Sequence, residues 1–263
     1  MMSRSGLVEP EAASPSQRRG GIACPPVEAA VPKSVFIHRL FTAIAPRYDW
    51  FNRLASLGLD QRWRRRAVAE GGLTPGMNTL DVCTGTGDLA LLCAQRLQGR
   101  GLVVGLDFNR PMLTGASGKR RGAPGLPTWM QGDAQRLPFR SGAFDRVFIG
   151  FSTRNLSDLR EGFCEMLRVL TPGGQLVVLE TGYPANPLLR AGYLGFLATA
   201  ARCIGWVLTG RCWPFTYLAQ SVKKFLPPAQ VVALIDACGA QARYHPLSWG
   251  LASLYVARKP GGA

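Results

Sequence analysis

Histidine is nearly absent: His38 and His245 are the only two in 263 residues. Seven cysteines, at 24, 83, 93, 164, 203, 212 and 238, include no C-x-x-C pair. A Cys/His metal site is therefore not expected, and an odd number of scattered thiols suits a reducing cytosol. A signal-peptide h-region is missing from the first thirty residues, and Glu9, Glu11 and Glu28 argue against a transit peptide. Long uncharged apolar runs are also missing. The most apolar stretch, 188–208, is interrupted by Arg190 and Arg202, which leaves an uncharged run of eleven residues, 191–201. A spanning helix needs about 20, so no transmembrane segment is expected. Acidic residues are scarce, 16 against 31 basic, for a formal net charge of +15. That excess implies an anionic partner: nucleic acid, a membrane surface or an acidic substrate.

What remains is ample for a folded domain. Hydrophobic residues make up 47% and charged ones 18%, which excludes a largely disordered chain. Residues 1–33, rich in Pro, Ala, Ser, Gly and Arg without periodicity, read as a disordered tail. Residues 34–263 read as one domain. Its first part, to about Gly71, has helical spacing, with Trp63-Arg64-Arg65-Arg66 on what reads as a solvated helix face. From Thr79 onward short apolar runs alternate with helical stretches. Strands are expected at Thr79–Cys83, Leu102–Phe108, Thr128–Gln131, Phe144–Gly150, Gln175–Glu180, Ala240–His245 and Ser253–Arg258. Helices are expected at Asp88–Leu97, Arg110–Lys119, Leu159–Leu170, about Pro187–Leu208, Thr216–Phe225 and Pro228–Cys238. This alternation predicts an α/β fold: a doubly wound, seven-stranded, mostly parallel sheet with one antiparallel edge.

In such a sheet ligands bind outside the carboxyl ends of the strands. The first strand, holding Asp81, runs into Gly85-Thr86-Gly87, a loop that lets backbone approach a ligand at a helix N-terminus. Asp107 follows twenty residues after Gly87 and can accept both hydroxyls of an adenosine ribose. These two features do not decide between NAD and S-adenosylmethionine. The third strand leads to Asp133-Ala134, where a carboxylate can accept from the adenine amine. Leu170-Thr171-Pro172-Gly173-Gly174 reads as a tight turn before the fifth strand.

Joined in order, these features resemble the class I methyltransferases. Tyr48-Asp49, Asn52, Ser56, Gly58 and Trp63 resemble the N-terminal signature of the ubiquinone/menaquinone biosynthesis C-methyltransferases. Arg168-Val169-Leu170, Pro172-Gly173-Gly174 and Glu180 resemble their second signature. Phe151 and Arg154-Asn155 are similar to the linking segment, and likeness extends from about Phe36 to Arg258. The chain departs from that pattern at Phe51 (Met in the family), Asp60 (His), Ser152-Thr153, Gly150 and Gly182 (both Ser).

The resemblance implies S-adenosylmethionine as cofactor, no metal, and methylation of a ring carbon of a polyprenyl quinol. It implies helical cover over the acceptor at 34–76 and about 187–226. Asp81, Gly85, Thr86, Gly87, Asp107, Asp133, Ala134 and Gly150 are the expected cofactor residues. Tyr48, Arg154 and Asn155 are expected at the acceptor, with Arg154 stabilising a phenolate. Asp49 is either a base or a helix cap. Other readings stay open: another hydrophobic acceptor, an RNA substrate, or a non-catalytic component of a quinone-synthesis complex. No RNA-binding module is visible, so nucleic acid is not the expected partner. A homodimer is also left open.

The charge excess is uneven. Segment 34–76 has seven basic and three acidic residues, and 187–263 has eight and one, so eleven of the fifteen excess charges flank the nucleotide-binding core. Trp50, Phe51, Trp63, Trp206 and Trp213 occupy the same segments. A cytoplasmic enzyme that associates peripherally with an anionic bilayer is expected.

Overall fold

A computed structural model describes residues 31–119, 125–182, 184–210 and 213–262. Residues 1–30 of the expected tail lie outside the described residues, and Lys33, at its end, already opens the first helix. That helix, α1 (Lys33–Ile44), is followed by α2 (Tyr48–Ala55) and α3 (Leu59–Glu70). The alternating core comprises β1 (Thr79–Val82), α4 (Asp88–Leu97), β2 (Val103–Asp107), α5 (Arg110–Gly118), β3 (Thr128–Gln131), β4 (Phe144–Gly150), α6 (Leu159–Val169) and β5 (Leu170–Thr181). Three further helices, α7 (Pro187–Ala198), α8 (Ala200–Thr209) and α9 (Trp213–Lys224), precede α10 (Pro228–Asp236), β6 (Gln241–Leu247) and β7 (Ala252–Arg258).

The seven strands run in the order β3-β2-β1-β4-β5-β7-β6, with β7 antiparallel to both neighbours. Helices cover both faces, so β1 and β2 are buried at every position, as parallel strands in a doubly wound sheet require. One core layer joins the sheet to α6 and α10 through Phe163, Met166, Val231 and Ile235. The other joins it to α3 and α4 through Trp63, Leu89, Cys93 and Phe148. Asn109 and Asp158 cap α5 and α6 by accepting from the backbone N–H groups of Met112 and Glu161.

A third apolar cluster forms the helical cover, with Leu40, Ile44, Phe51, Leu197, Ala201, Phe215 and Val222 at its centre. Gly205 lets α8 meet α9, because a Cβ there would lie 2.1 Å from the Phe215 ring.

Three expectations are corrected. The turn expected at 170–174 is built into β5, which pairs with β4 from Leu170 across a register shift between Phe144 and Arg146. The run 63–66 is not uniformly solvated: Trp63 and Arg64 are buried, and Arg65 and Arg66 are exposed. Cys164 and Cys238 form a disulfide, although they stand 74 residues apart. Pro187–Thr209 is 23 residues long with mean hydropathy 1.3, which meets the length and composition of a membrane span and nothing more, so the expectation of no transmembrane segment is not overturned. The stretch is divided at Thr199 into α7 and α8. Only 17% of its most apolar window is buried.

Candidate active site

At the carboxyl ends of β1, β2 and β4, where the strand order reverses, lies a cavity of about 460 Å³, within the range of small-molecule sites. Asp81, Gly85, Thr86, Asp107, Asp133, Ala134, Gly150, Tyr48 and Asn155 all line it. Ten of the sequence-derived site residues would thus converge if Gly87 joined them, but it does not line the cavity. Gly87 stands at φ +82° before α4, and a Cβ there would lie 2.4 Å from Trp129. Its glycine is required by packing. Gly85, at φ +57°, has only Tyr48 within 4 Å of such a Cβ, at 3.9 Å, so its backbone faces open space.

Asp107 ends β2. Its Oδ2 accepts from the Gly85 N–H at 2.8 Å, and its Oδ1 from the Asn109 N–H at 2.8 Å. Burial still raises its pKa. Asp81 lies within β1, where burial pushes its carboxyl up to about 7 despite bonds from the Thr84 hydroxyl and the Ala90 N–H. Asp88 is half-buried, but the Lys119 charge holds its pKa low. Carboxylates 81, 88, 107 and 133 therefore face one cavity. That set of acceptors fits a cationic ligand bearing hydroxyls and amines, as S-adenosylmethionine does. Among the described residues, no cluster of three or more His, Cys, Asp or Glu could hold a metal.

A second, apolar cavity lies beneath the helical cover, walled by Leu40, Ile44, Phe51, Leu197, Phe215 and Leu218. Phe41, Tyr48, Arg64 and Asn155 line both cavities and so mark their junction. Arg154 lines the second cavity only. It donates from Nη1 to Glu180 Oε1 and to the Phe151 carbonyl, and its buried Nε has no partner among the described residues. Asn155 accepts from the Tyr217 hydroxyl at 3.2 Å, and its buried Nδ2 is likewise unpartnered. Burial raises the Tyr193 pKa to about 12, so this hydroxyl on the cavity wall stays protonated.

Asp49 lines neither cavity. Its Oδ1 accepts from the Thr86 hydroxyl at 2.6 Å, and its Oδ2 pairs with Lys119 at 2.6 Å. It clamps α2 to the cofactor loop. Sequence reading missed two participants: Lys119, which bridges Asp49 and Asp88, and Arg64, hidden in a run of arginines; it named Glu180 at the end of the fifth strand without a role, and the structure makes it the buried partner of Arg154. For Arg64 the available signal was its place directly after Trp63 in the first signature.

The sequence has relatives among known proteins. The ubiE/COQ5 methyltransferase family matches residues 29–259. The chain belongs to that family. A demethylmenaquinone methyltransferase from Thermus thermophilus is 41% identical over 84% of this chain and 100% of its own. One from Deinococcus radiodurans is 39% identical over 89% and 97%. A ubiquinone/menaquinone biosynthesis C-methyltransferase from Geobacter sulfurreducens is 37% identical over 85% and 88%. Solved structures agree on the fold: a SAM-dependent methyltransferase from Aquifex aeolicus has a TM-score of 0.54 at 18% identity, over 74% of this chain and 88% of that one. This family member is a methyltransferase on the same sheet.

Proposed function

We propose that the protein transfers a methyl group from S-adenosylmethionine to a ring carbon of a polyprenyl quinol, a demethylmenaquinol or the related benzoquinol, in menaquinone or ubiquinone biosynthesis. The observation that carries this reading is the junction of the two cavities. A carboxylate-lined site opens onto an apolar one through Phe41, Tyr48, Arg64 and Asn155. When bound, S-adenosylmethionine supplies an electrophilic methyl group on a sulfonium.

In this reading Asp107 holds the ribose hydroxyls, Asp81 the amino end and Asp133-Ala134 the adenine. Gly85 and Thr86 line the methionine and ribose side. The acceptor must be the reduced quinol, because a deprotonated hydroxyl pushes charge onto the adjacent ring carbon. The protein contributes orientation and stabilisation of that charge. Arg154 and Asn155 have buried, unpartnered N–H groups suited to a ring oxygen. Both oxygens of Asp49 are engaged, so we assign it to holding α2 rather than to proton transfer.

We also propose peripheral association with an anionic bilayer. Trp50, 61% exposed, stands on α2 and Leu57, 87% exposed, in the turn after it; Trp206 and Val207, 50% and 74% exposed, stand on α8, which packs on α2. Arg47 and Arg53 are exposed beside them. Phe51 and Trp63, expected on the same surface, are core residues instead. Flotation with anionic liposomes, lost with neutral ones, is the expected result.

The activity is tested by incubating the protein with methyl-labelled S-adenosylmethionine and a chemically reduced lipid extract from a quinone-deficient strain. Label is expected in the quinone fraction. Label in phospholipid or added RNA, or in no fraction, overturns the reading.

A further inference from the structure

Arg64 is one of two buried guanidinium groups on the apolar cavity, and it alone also reaches the cofactor cavity. It lies on α3 at 7% exposure. Its Nη1 donates to Asp60 Oδ2 at 2.5 Å, one turn earlier on the same helix. Asp60 is held in turn: its Oδ1 accepts from the Ser56 hydroxyl at 3.0 Å, and its Oδ2 from Gln61 Nε2 at 3.3 Å. Gln61 also donates to Asp88 on α4 at 2.9 Å, so the pair is tied to the cofactor side. The Phe151 ring, 5.1 Å from the guanidinium carbon, supports its plane. A guanidinium carries five N–H donors. Among the described residues Arg64 makes its one side-chain hydrogen bond to Asp60, and its Nε and Nη2 are not among the fully buried unpartnered atoms.

Burying this ion pair is costly unless the remaining donors meet something. An anionic or hydroxylic oxygen at the junction would satisfy them. Arg154, by contrast, sits away from the cofactor cavity, with its carboxylate partner Glu180 behind it. The cavity thus offers two separate cationic donors to a ring with two oxygens. Asp60 balances the Arg64 charge, so the guanidinium does not confront a cationic cofactor uncompensated.

We propose that Arg64 binds the ring oxygen beside the methyl-accepting carbon and stabilises it as an oxyanion, with Asp60 as the residue that positions it. The assignment rests on the quinol methyltransferase reading above. It also gives Asp60, which departs from the family pattern, a function in this chain.

The test uses 4-methoxy-1-naphthol, a redox-stable phenol whose ionisation is followed by ultraviolet absorbance, bound to the full protein with S-adenosylhomocysteine. Burial in the apolar cavity raises the pKa of the hydroxyl and the adjacent guanidinium lowers it, so the readout is the difference between wild type and variant. Arg64→Gln should move that pKa up by at least one unit, a tenfold loss of oxyanion preference, and Arg64→Lys should restore part of the shift. If Arg64→Gln fails to fold, Asp60→Asn is the substitute, with a smaller upward shift expected. A bound phenol that titrates alike in wild type and variant overturns the role of Arg64. A wild-type protein that does not bind the phenol overturns the quinol reading itself.

Discussion

Arg154 donates from Nη1 to Oε1 of Glu180 at 2.5 Å, and Glu180 is entirely buried. Glu180 also accepts from the Thr153 hydroxyl at 2.7 Å and from the backbone N–H of Thr181 at 2.7 Å. Burial works against the Arg154 charge, but Glu180 and neighbouring groups keep its pKa above the usual value, so it acts as a fixed cation and not as a base. Arg154→Ala should leave cofactor affinity within a few fold while turnover of a demethylquinol falls by about 10²–10³. It should also destabilise the fold by about 3–5 kcal/mol, since Glu180 loses its partner. Arg154→Ala combined with Glu180→Gln should recover stability but not turnover. Denaturation and single-turnover assays separate the two, and unchanged turnover would remove Arg154 from the chemistry.

Asp107→Ala should abolish measurable cofactor binding. Two charge-assisted bonds to a ribose are worth about 3 kcal/mol or more together, beyond a hundredfold in affinity. Calorimetry decides, and unchanged affinity would reassign the ribose site.

Asp81 makes stability depend on pH. Its folded pKa of about 7 lies above the unfolded value, so the folded state binds the extra proton. The stabilisation is fully present below about pH 4 and is lost as pH rises through 7. Between pH 5 and 8 the wild type should lose about 2–3 kcal/mol relative to Asp81→Asn, measured by urea denaturation at each pH. A pH-independent difference would place the Asp81 proton elsewhere.

Asp49→Asn should retain turnover within about tenfold, because the carboxylate is tied to Lys119 and Thr86 and lines neither cavity. A loss of 10³ or more in steady-state rate would return Asp49 to the role of base.

Gly205→Ala would put a methyl group 2.1 Å from the Phe215 ring, in the cover and remote from the carboxylates. Overpacking costs about 1–3 kcal/mol. Cofactor affinity should hold within a few fold while acceptor turnover drops more than tenfold. Equal loss of both would mean that the cover and the cofactor site do not separate.

Much of this protein was determined by its sequence alone. Short apolar runs alternating with helical stretches placed seven strands, because buried parallel strands must be short, apolar and punctuated by turns. The strand-end residues Asp81, Gly85, Asp107 and Asp133 were readable as a set, because topology brings carboxyl ends to one edge. The tertiary structure decided what depends on the neighbour across space. Arg64 and Arg65 are adjacent in the chain, yet only the helix face packed on α4 is buried. Gly87 proved to serve Trp129, and Asp49 to serve Lys119. Cys164 met Cys238 because α6 and α10 share one layer of the core. Each of these pairs is set by packing between distant elements, which no local pattern encodes.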